Sequence, residues 1–169
     1  MSTSPFPSPA TPRLSDAVAA IQATRKLVEQ GFSLLKAKVQ DPAKPGRVSN
    51  ALMDNFQHVS FELAWSASEM TAAEAVLAWA DRAREAKKIS ADAAPEDTAL
   101  SLEERLAAAY AAEVTAKVRE RFLAHPEDFG LSLGAVIEAL ASGDVGAFVG
   151  RELASATLAG MGQTIREQQ

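Results

Sequence analysis

Apolar residues recur at spacings of three and four along most of the chain, which predicts amphipathic α-helices. The pattern predicts five of them, at residues 15–40, about 48–88, 101–124, 132–141 and 144–166. Runs of β-branched and aromatic residues, which strands favour, are sparse. We therefore expect an all-α fold, a helical bundle of about five helices with one very long helix.

The ends of the first and third helices carry recognisable signals. Ser15 suits the N-cap of the first helix, and Asp41-Pro42 should end that helix. Arg25 interrupts its apolar face and either pairs with an acid on a facing helix or extends to the edge. The segment Ser101-Leu-Glu-Glu104 is a capping-box pattern that should start the third helix.

The second helix is the most informative, because about 40 residues pass without Pro or Gly. Its seam alternates steps of four and three: Leu52, Phe56, Val59, Leu63, Ser66, Met70, Ala73, Leu77 and Ala80. A seam of this kind packs on another helix. A second apolar face holds Phe61, Trp65, Val76 and Trp79. We expect such a helix to lie between neighbours or at a subunit contact.

Length supports this interpretation, because 40 helical residues span roughly 60 Å. A compact chain of this size has a radius of gyration of only roughly 15 Å. The helix therefore either bends, near Ser66-Ala-Ser68, or overhangs the bundle and meets a partner. In the last helix, Gly146, Gly150 and Ala154 recur every four residues and predict a ridge for close helix contact.

The remaining segments predict no second domain. Residues 1–13 hold four prolines among serines and threonines, which predicts a disordered tail, either simply solvated or a docking peptide. Residues 89–100 form a polar linker containing Pro95. Residues 14–169 are expected to fold as one helical-bundle domain.

Composition narrows the function classes. The chain has no cysteine, which excludes disulfides and thiolate chemistry and is compatible with the cytoplasm. Its net charge of −5 comes from interspersed acids and bases, which argues against nucleic-acid binding. No apolar run approaches the roughly 18–20 residues of a membrane span, so no membrane association is expected.

No catalytic constellation is evident. The two histidines, His58 and His125, do not belong to a Glu-x-x-His motif. His58, Glu62 and Glu69 share a helix face and form either a polar inner seam or an ordinary surface row. Trp65 and Trp79 could stack on a flat ligand, but buried anchors on a helix face are the favoured interpretation. We predict no catalytic residue, no metal ligand and no intrinsic cofactor.

One segment carries a family resemblance. Gln57-His-Val-Ser-Phe61-Glu-Leu63-Ala64-Trp-Ser-Ala67, continuing to Ala72-Ala73, resembles the start of the C-terminal helical domain of acyl-CoA dehydrogenases. That family often carries Gln-x-x-x-Phe-x-Leu-Ala there, followed by spaced alanines. The stretch from Arg105 to Arg166 is also similar in character to helical N-terminal extensions of some bacterial acyl-CoA dehydrogenase-like proteins.

The resemblance implies a helical bundle that oligomerises within a flavin-dependent system. Family members bind FAD across a subunit interface and use a Glu base, but this chain has no candidate β domain. No residue here matches the family's catalytic Glu or its flavin-binding positions. FAD is therefore expected only through a partner or a shared interface.

Three functional hypotheses follow. The first is an accessory helical subunit that docks onto an acyl-CoA dehydrogenase-like flavoprotein or onto itself. The second is a stand-alone homo-oligomeric scaffold without a flavin link, and the third is an enzyme component with a site inside the bundle or at a subunit interface. The predicted interface and packing residues are Leu52, Phe56, Val59, Leu63, Met70, Leu77, Trp65, Trp79, Gly146 and Gly150.

Overall fold

Helices follow one another through the two described ranges of the computed structural model, residues 14–90 and 100–167. They are α1 (Leu14–Lys38), α2 (Asn50–Asp54), α3 (Gln57–Ser90), α4 (Leu102–Ala124), α5 (Leu133–Leu140), α6 (Gly143–Glu152) and α7 (Ser155–Glu167). Within these ranges no strand forms, and a single isolated bridge joins Gln40 to Val48. The all-α prediction is confirmed, with seven α-helices in these ranges instead of about five. The predicted tail at residues 1–13 lies outside them.

The centre of the bundle is formed by α1, α3 and α4, each of which packs on the other two. Its buried apolar side chains include Ile21, Val28, Leu63, Met70, Val118 and Phe122. Helices α5 and α6 pack on α1 and α4, while α7 packs on α4. Helix α3 makes no comparable contact with α5, α6 or α7 in the described residues, so it lies at the edge of the bundle.

A glycine brings α1 and α3 close together. A methyl group at Gly31 would lie only 2.7 Å from Cδ2 of Leu63, and Leu63 has no exposed surface. The Leu63 side chain therefore fills the space that any larger residue at position 31 would need. Hydrophobicity does not decide burial along α1: Val18 and Phe32 are exposed, whereas Thr24 is buried and its hydroxyl donates to the Ala20 carbonyl.

The long helix begins later than predicted. In place of one helix over about 48–88, the short α2 precedes a break at Asn55 and Phe56, and α3 then runs from Gln57 to Ser90. The Asn55 N–H bonds to the Leu52 carbonyl at 3.1 Å, and the Phe56 N–H bonds to the Met53 carbonyl at 2.9 Å. These three-residue steps close the short helix, as tight terminal turns do. Helix α3 continues unbroken past the serines where a bend was one prediction.

Other boundaries also shift. Helix α1 begins at Leu14, so Ser15 lies in its first turn instead of capping it. The predicted last helix is split at Leu153 and Ala154 into α6 and α7. The Thr157 hydroxyl donates to the Arg151 carbonyl at 2.8 Å, which satisfies a backbone acceptor left free at the end of α6.

The capping box at the start of α4 is confirmed. The Ser101 hydroxyl accepts from the Glu104 N–H at 3.3 Å, and the Glu104 carboxylate accepts from the Ser101 N–H at 2.9 Å. Glu104 is buried, and it also accepts from Arg84 of α3 at 2.8 Å. One carboxylate thus starts α4 and ties it to α3.

Candidate interaction surface on the long helix

The solvent side of α3 carries three large exposed aromatic residues. We call this surface the outer face and define it by Phe61, Trp65, Ala72, Ala75 and Trp79. Phe61 and Trp79 are 18 residues apart, which is about five full turns and places them on the same side of the helix. The exposed fractions of Phe61, Trp65 and Trp79 are 60%, 50% and 48%. Exposed apolar surface of this extent marks interaction sites when it is contiguous.

Two of these aromatics already pack on each other. The rings of Phe61 and Trp65 are stacked, with centroids 5.8 Å apart and planes 29° from parallel. Ser68, Ala72 and Ala75 lie between this pair and Trp79, and all three are small and exposed. The outer face is therefore bulky at both ends and shallow in the middle.

Charged residues of α3 lie on its flanks. Between Phe61 and Trp79 the only charged residues are Glu62, Glu69 and Glu74. All three form ion pairs with arginines of the neighbouring helices. The outer face itself is uncharged over about five turns.

On the α4 flank, Arg121 binds two of these acids. Its Nη1 lies 2.5 Å from Oε2 of Glu69 and donates to the buried Ser66 hydroxyl at 3.4 Å. Its Nε lies 3.3 Å from Oε2 of Glu62, close enough for charge attraction but without hydrogen-bond geometry. Arg121 is about one-fifth exposed, so solvent screens these contacts less than it screens surface pairs.

The Glu69 carboxyl responds to this arrangement. Burial raises the pKa of Glu69. The hydrogen bond and positive charge of Arg121 lower this pKa by more than burial raises it, so that it lies below its ordinary value of 4.5. The Trp65 indole also favours the ionised carboxylate. The ionised form of Glu69 thus belongs to the folded structure, where it holds α3 and α4 together.

On the α1 flank, Arg25 pairs with Glu74. Its Nε donates to Oε1 of Glu74 at 2.9 Å, and its Nη2 lies 2.5 Å from the same oxygen. The hydrogen bond that Arg25 donates to the Glu74 carboxylate raises the Arg25 pKa above its usual value. Of the two predicted roles of Arg25, the structure selects the pair with an acid on a facing helix.

The predicted seam residues divide into two groups. Val59, Leu63, Met70 and Leu77 are buried against the chain's own helices. Leu52 and Phe56 are partly buried and pack against the same core. Because α1 and α4 cover the seam, it needs no partner helix.

The tryptophans lie on the other side of α3. Trp65 and Trp79 are not buried anchors within the chain, since about half of each side chain meets solvent. Their predicted role at an interface remains a prediction. Arg121 was not predicted from the sequence. The signal for it was the pair Glu62 and Glu69, which lie seven residues apart on one helix face and favour a cation on the facing helix.

The glycine ridge predicted in the last helix does not form. Gly150 is exposed, and a methyl group there would have nothing within 4 Å. A methyl group at Gly146 would overlap the backbone carbonyl of Ala141, just before the turn into α6. Gly146 therefore permits a tight α5–α6 turn, and the helix break after Glu152 separates it from Ala154.

Polar groups elsewhere in the described ranges do not form a recognisable chemical site. The rings of His58 and His125 approach edge to face with centroids 6.4 Å apart, and both histidines are exposed. No group of three or more His, Asp or Glu residues in the described ranges could hold a metal ion. A groove of about 490 Å³ between α1 and α3 is lined by Val18, Glu74 and Asp81 among others, and Glu74 is already paired with Arg25.

In the described helices, none is by itself both long and apolar enough to cross a membrane; α5 and α6 pass that test only together, with a 61° bend between them. Comparison with protein-family models and with curated proteins finds no match to this chain. The resemblance to acyl-CoA dehydrogenases therefore has no support from these comparisons.

Proposed function

We propose that this chain is a non-catalytic docking protein that binds a helix of a protein partner through the outer face of α3. The observation that carries the proposal is the row of half-exposed aromatic residues Phe61, Trp65 and Trp79 on α3. The charged residues of the same stretch lie beside this row and form ion pairs with arginines. Full burial of one such side chain is worth about 1.5–3 kcal/mol, so completing the burial of three contributes roughly 3 kcal/mol. Aromatic residues are also the side chains most enriched at binding hot spots.

The paired acids of α3 support the same proposal. Glu62, Glu69 and Glu74 hold neighbouring helices in place through arginines. Carboxylates that serve as structural partners are poor candidates for proton transfer, so we assign them no catalytic role. The arginines offset the charge that lies beside the aromatics, including that of Glu69 next to Trp65, which lowers the desolvation cost of docking.

The resemblance of residues Gln57–Ala73 to a helix of acyl-CoA dehydrogenases favours a flavoprotein of that type as the partner. Phe61, a residue of that motif, lies on the outer face, whereas Leu63 of the same motif is buried in the core. Any FAD in such a complex would belong to the partner or to the shared interface. We place this encounter in the cytoplasm, where a chain without cysteine requires no oxidising environment.

Affinity purification with quantitative mass spectrometry tests the proposal. Trp65→Glu and Trp79→Glu each place a charge on the outer face, while Leu158→Glu alters an equally exposed residue of α7 and serves as the matched control. We expect at least one identified protein, which can be a second copy of this chain, to be recovered with the wild type and the control. We expect the same protein to be lost with both face variants. A flavoprotein partner would also bring visible flavin absorbance.

Two results would contradict the proposal. One is identical recovery of every associated protein by the wild type and both face variants. The other is equal loss with Leu158→Glu, which would show that added charge on any exposed helix has the same effect. Circular dichroism of each variant verifies that helical content is retained.

A further inference from the structure

We infer that the occupant of the outer face is a second copy of this chain, with the two α3 helices packed antiparallel about a two-fold axis. This inference rests on the proposed docking function and assigns the outer face to a copy of this chain in place of a flavoprotein. It starts from the spacing of residues along the outer face, where Phe61 and Trp79 lie at equal distances on either side of Met70.

The aromatic ends of the outer face are symmetrically placed. Phe61 lies nine residues before Met70, and Trp79 lies nine residues after it. A two-fold axis perpendicular to α3 at the level of Met70 therefore sets Phe61 of each copy opposite the partner's Trp79. An isologous contact of this kind uses the same patch twice and closes at two copies.

Large and small side chains also match in this arrangement. Trp65 lies five residues before Met70, on the side of the outer face nearer to α4. At a helical rotation of about 100° per residue, Ala72 and Val76 lie on that same side. The two-fold operation places Trp65 between the partner's Ala72 and the partner's Val76. Each indole then fills the shallow middle of the other copy.

Electrostatics allow two like copies to meet here. Each chain carries a net charge of −5, which opposes self-association at long range. The contact strip itself has no charge, and Glu62, Glu69 and Glu74 beside it form ion pairs with Arg121 and Arg25. At physiological salt, charges farther than about 8 Å apart are largely screened. Repulsion thus acts only weakly across this strip.

The available area indicates a modest affinity. An aromatic side chain buries about 150–250 Å², so three that are half exposed offer roughly 300 Å² per copy, or roughly 600 Å² for the pair. The small residues between them bring the total toward the roughly 1,000 Å² at which stable interfaces begin. We therefore expect a dissociation constant on the order of micromolar.

Sedimentation velocity of the full chain tests the pairing over about 1 to about 300 µM, a range that brackets such an affinity. The key variant is Ala72→Arg, which puts a charge near the proposed axis at an exposed helical position. The matched control is Ala147→Arg on the exposed side of α6. We expect dimer formation by the wild type and the control, and a dissociation constant raised at least about tenfold by Ala72→Arg.

Spin labelling tests the direction of the helices, because a chain without cysteine accepts one label at a chosen site. Arg82 is exposed and lies 12 residues beyond Met70. In the antiparallel pair, labels on Arg82→Cys are separated by about 36 Å along the helix axis. In a parallel pair they would be separated by little more than the interaxial distance of about 10 Å.

Every result of these experiments either supports or overturns the antiparallel pairing. A dimer that Ala72→Arg weakens, with labels about 36 Å apart, supports the inference. A monomer throughout the concentration range, a dimer insensitive to Ala72→Arg, equal loss with Ala147→Arg, or closely spaced labels overturns it. If the chain is monomeric yet an identified partner is lost with Trp65→Glu and Trp79→Glu, the docking function stands and only the self-pairing fails.

Discussion

Leu63 and Phe61 are two residues apart on α3 but have opposite environments. Leu63 is fully buried beside Gly31, while Phe61 is mostly exposed on the outer face. Two residues rotate the helix by about 200°, so one side chain enters the core and the other leaves it. At the residue scale, therefore, hydrophobicity alone does not identify the core of this protein.

Leu63→Ala is expected to lower the free energy of unfolding by about 2–5 kcal/mol, because it leaves a cavity that the packed helices refill only in part. Phe61→Ala is expected to change it by less than about 1 kcal/mol. Urea unfolding of dilute protein, followed by circular dichroism, measures both values. Equal losses for the two variants would show that the two side chains are not on opposite sides of α3.

Glu69 shows how a single carboxyl links stability to pH. Its pKa is lowered in the folded chain, so folding favours the ionised form. Stability from such a group is present above the unfolded pKa, ordinarily 4.5, and is lost as pH falls through the lower folded pKa. The contribution therefore begins to decline below about pH 5 and is gone once pH falls below the folded pKa.

Comparison of Glu69→Gln with the wild type measures this contribution. We expect the variant to be less stable at neutral pH and the difference to shrink as pH falls below about 5. Glu113→Gln alters an exposed acid of α4 and serves as the control, with a smaller effect at every pH. A difference between the wild type and Glu69→Gln that stays constant down to about pH 3 would show that ionisation of Glu69 contributes nothing.

At the scale of elements, local signals predicted some boundaries and missed others. The capping box starts α4 because its hydrogen bonds involve only residues 101–104. The breaks at Asn55–Phe56 and Leu153–Ala154 carry no Pro or Gly, so no local signal predicts the end of a helix there. Phe56 and Leu153 at these breaks pack against the core, and tertiary packing routinely overrides propensity.

Substitutions of two glycines of α6 test the tight turn between α5 and α6. Gly146→Ala is expected to destabilise the protein by about 1–3 kcal/mol, because the added methyl group meets the Ala141 backbone, which cannot move aside like a side-chain tip. Gly150→Ala is expected to stabilise it by about 0.4–1 kcal/mol, because its methyl group meets nothing and restricts the unfolded chain. Thermal unfolding of both variants checks the signs. Shifts in the same direction would contradict the tight α5–α6 turn.

At the scale of the whole molecule, the other helices of the described ranges contact α3 on its inner side and leave α3 at the edge of the bundle. The chain's two tryptophans both lie on the exposed side. Intrinsic tryptophan fluorescence therefore reports on the outer face without any introduced probe. Self-pairing is therefore expected to change how easily a dissolved quencher reaches the two tryptophans.

Acrylamide quenching of tryptophan is expected to be efficient in dilute solution and to weaken as the protein concentration rises through the micromolar range, since pairing shields both indoles. Ala72→Arg should remain equally quenchable at all concentrations, while Ala147→Arg should follow the wild type. Quenching that does not depend on concentration in the wild type would indicate that the tryptophans are never covered by a second copy.

The sequence by itself determined the helical class, the seam of α3 and the cap of α4. These features depend on spacing within one helix or on contacts between near neighbours in sequence. Only the tertiary structure decided that α1 and α4 cover the seam and that Arg121 pairs with Glu62 and Glu69. It also decided that Trp65 and Trp79 face solvent, because which of two apolar helix faces is buried depends on which neighbours arrive and from which side.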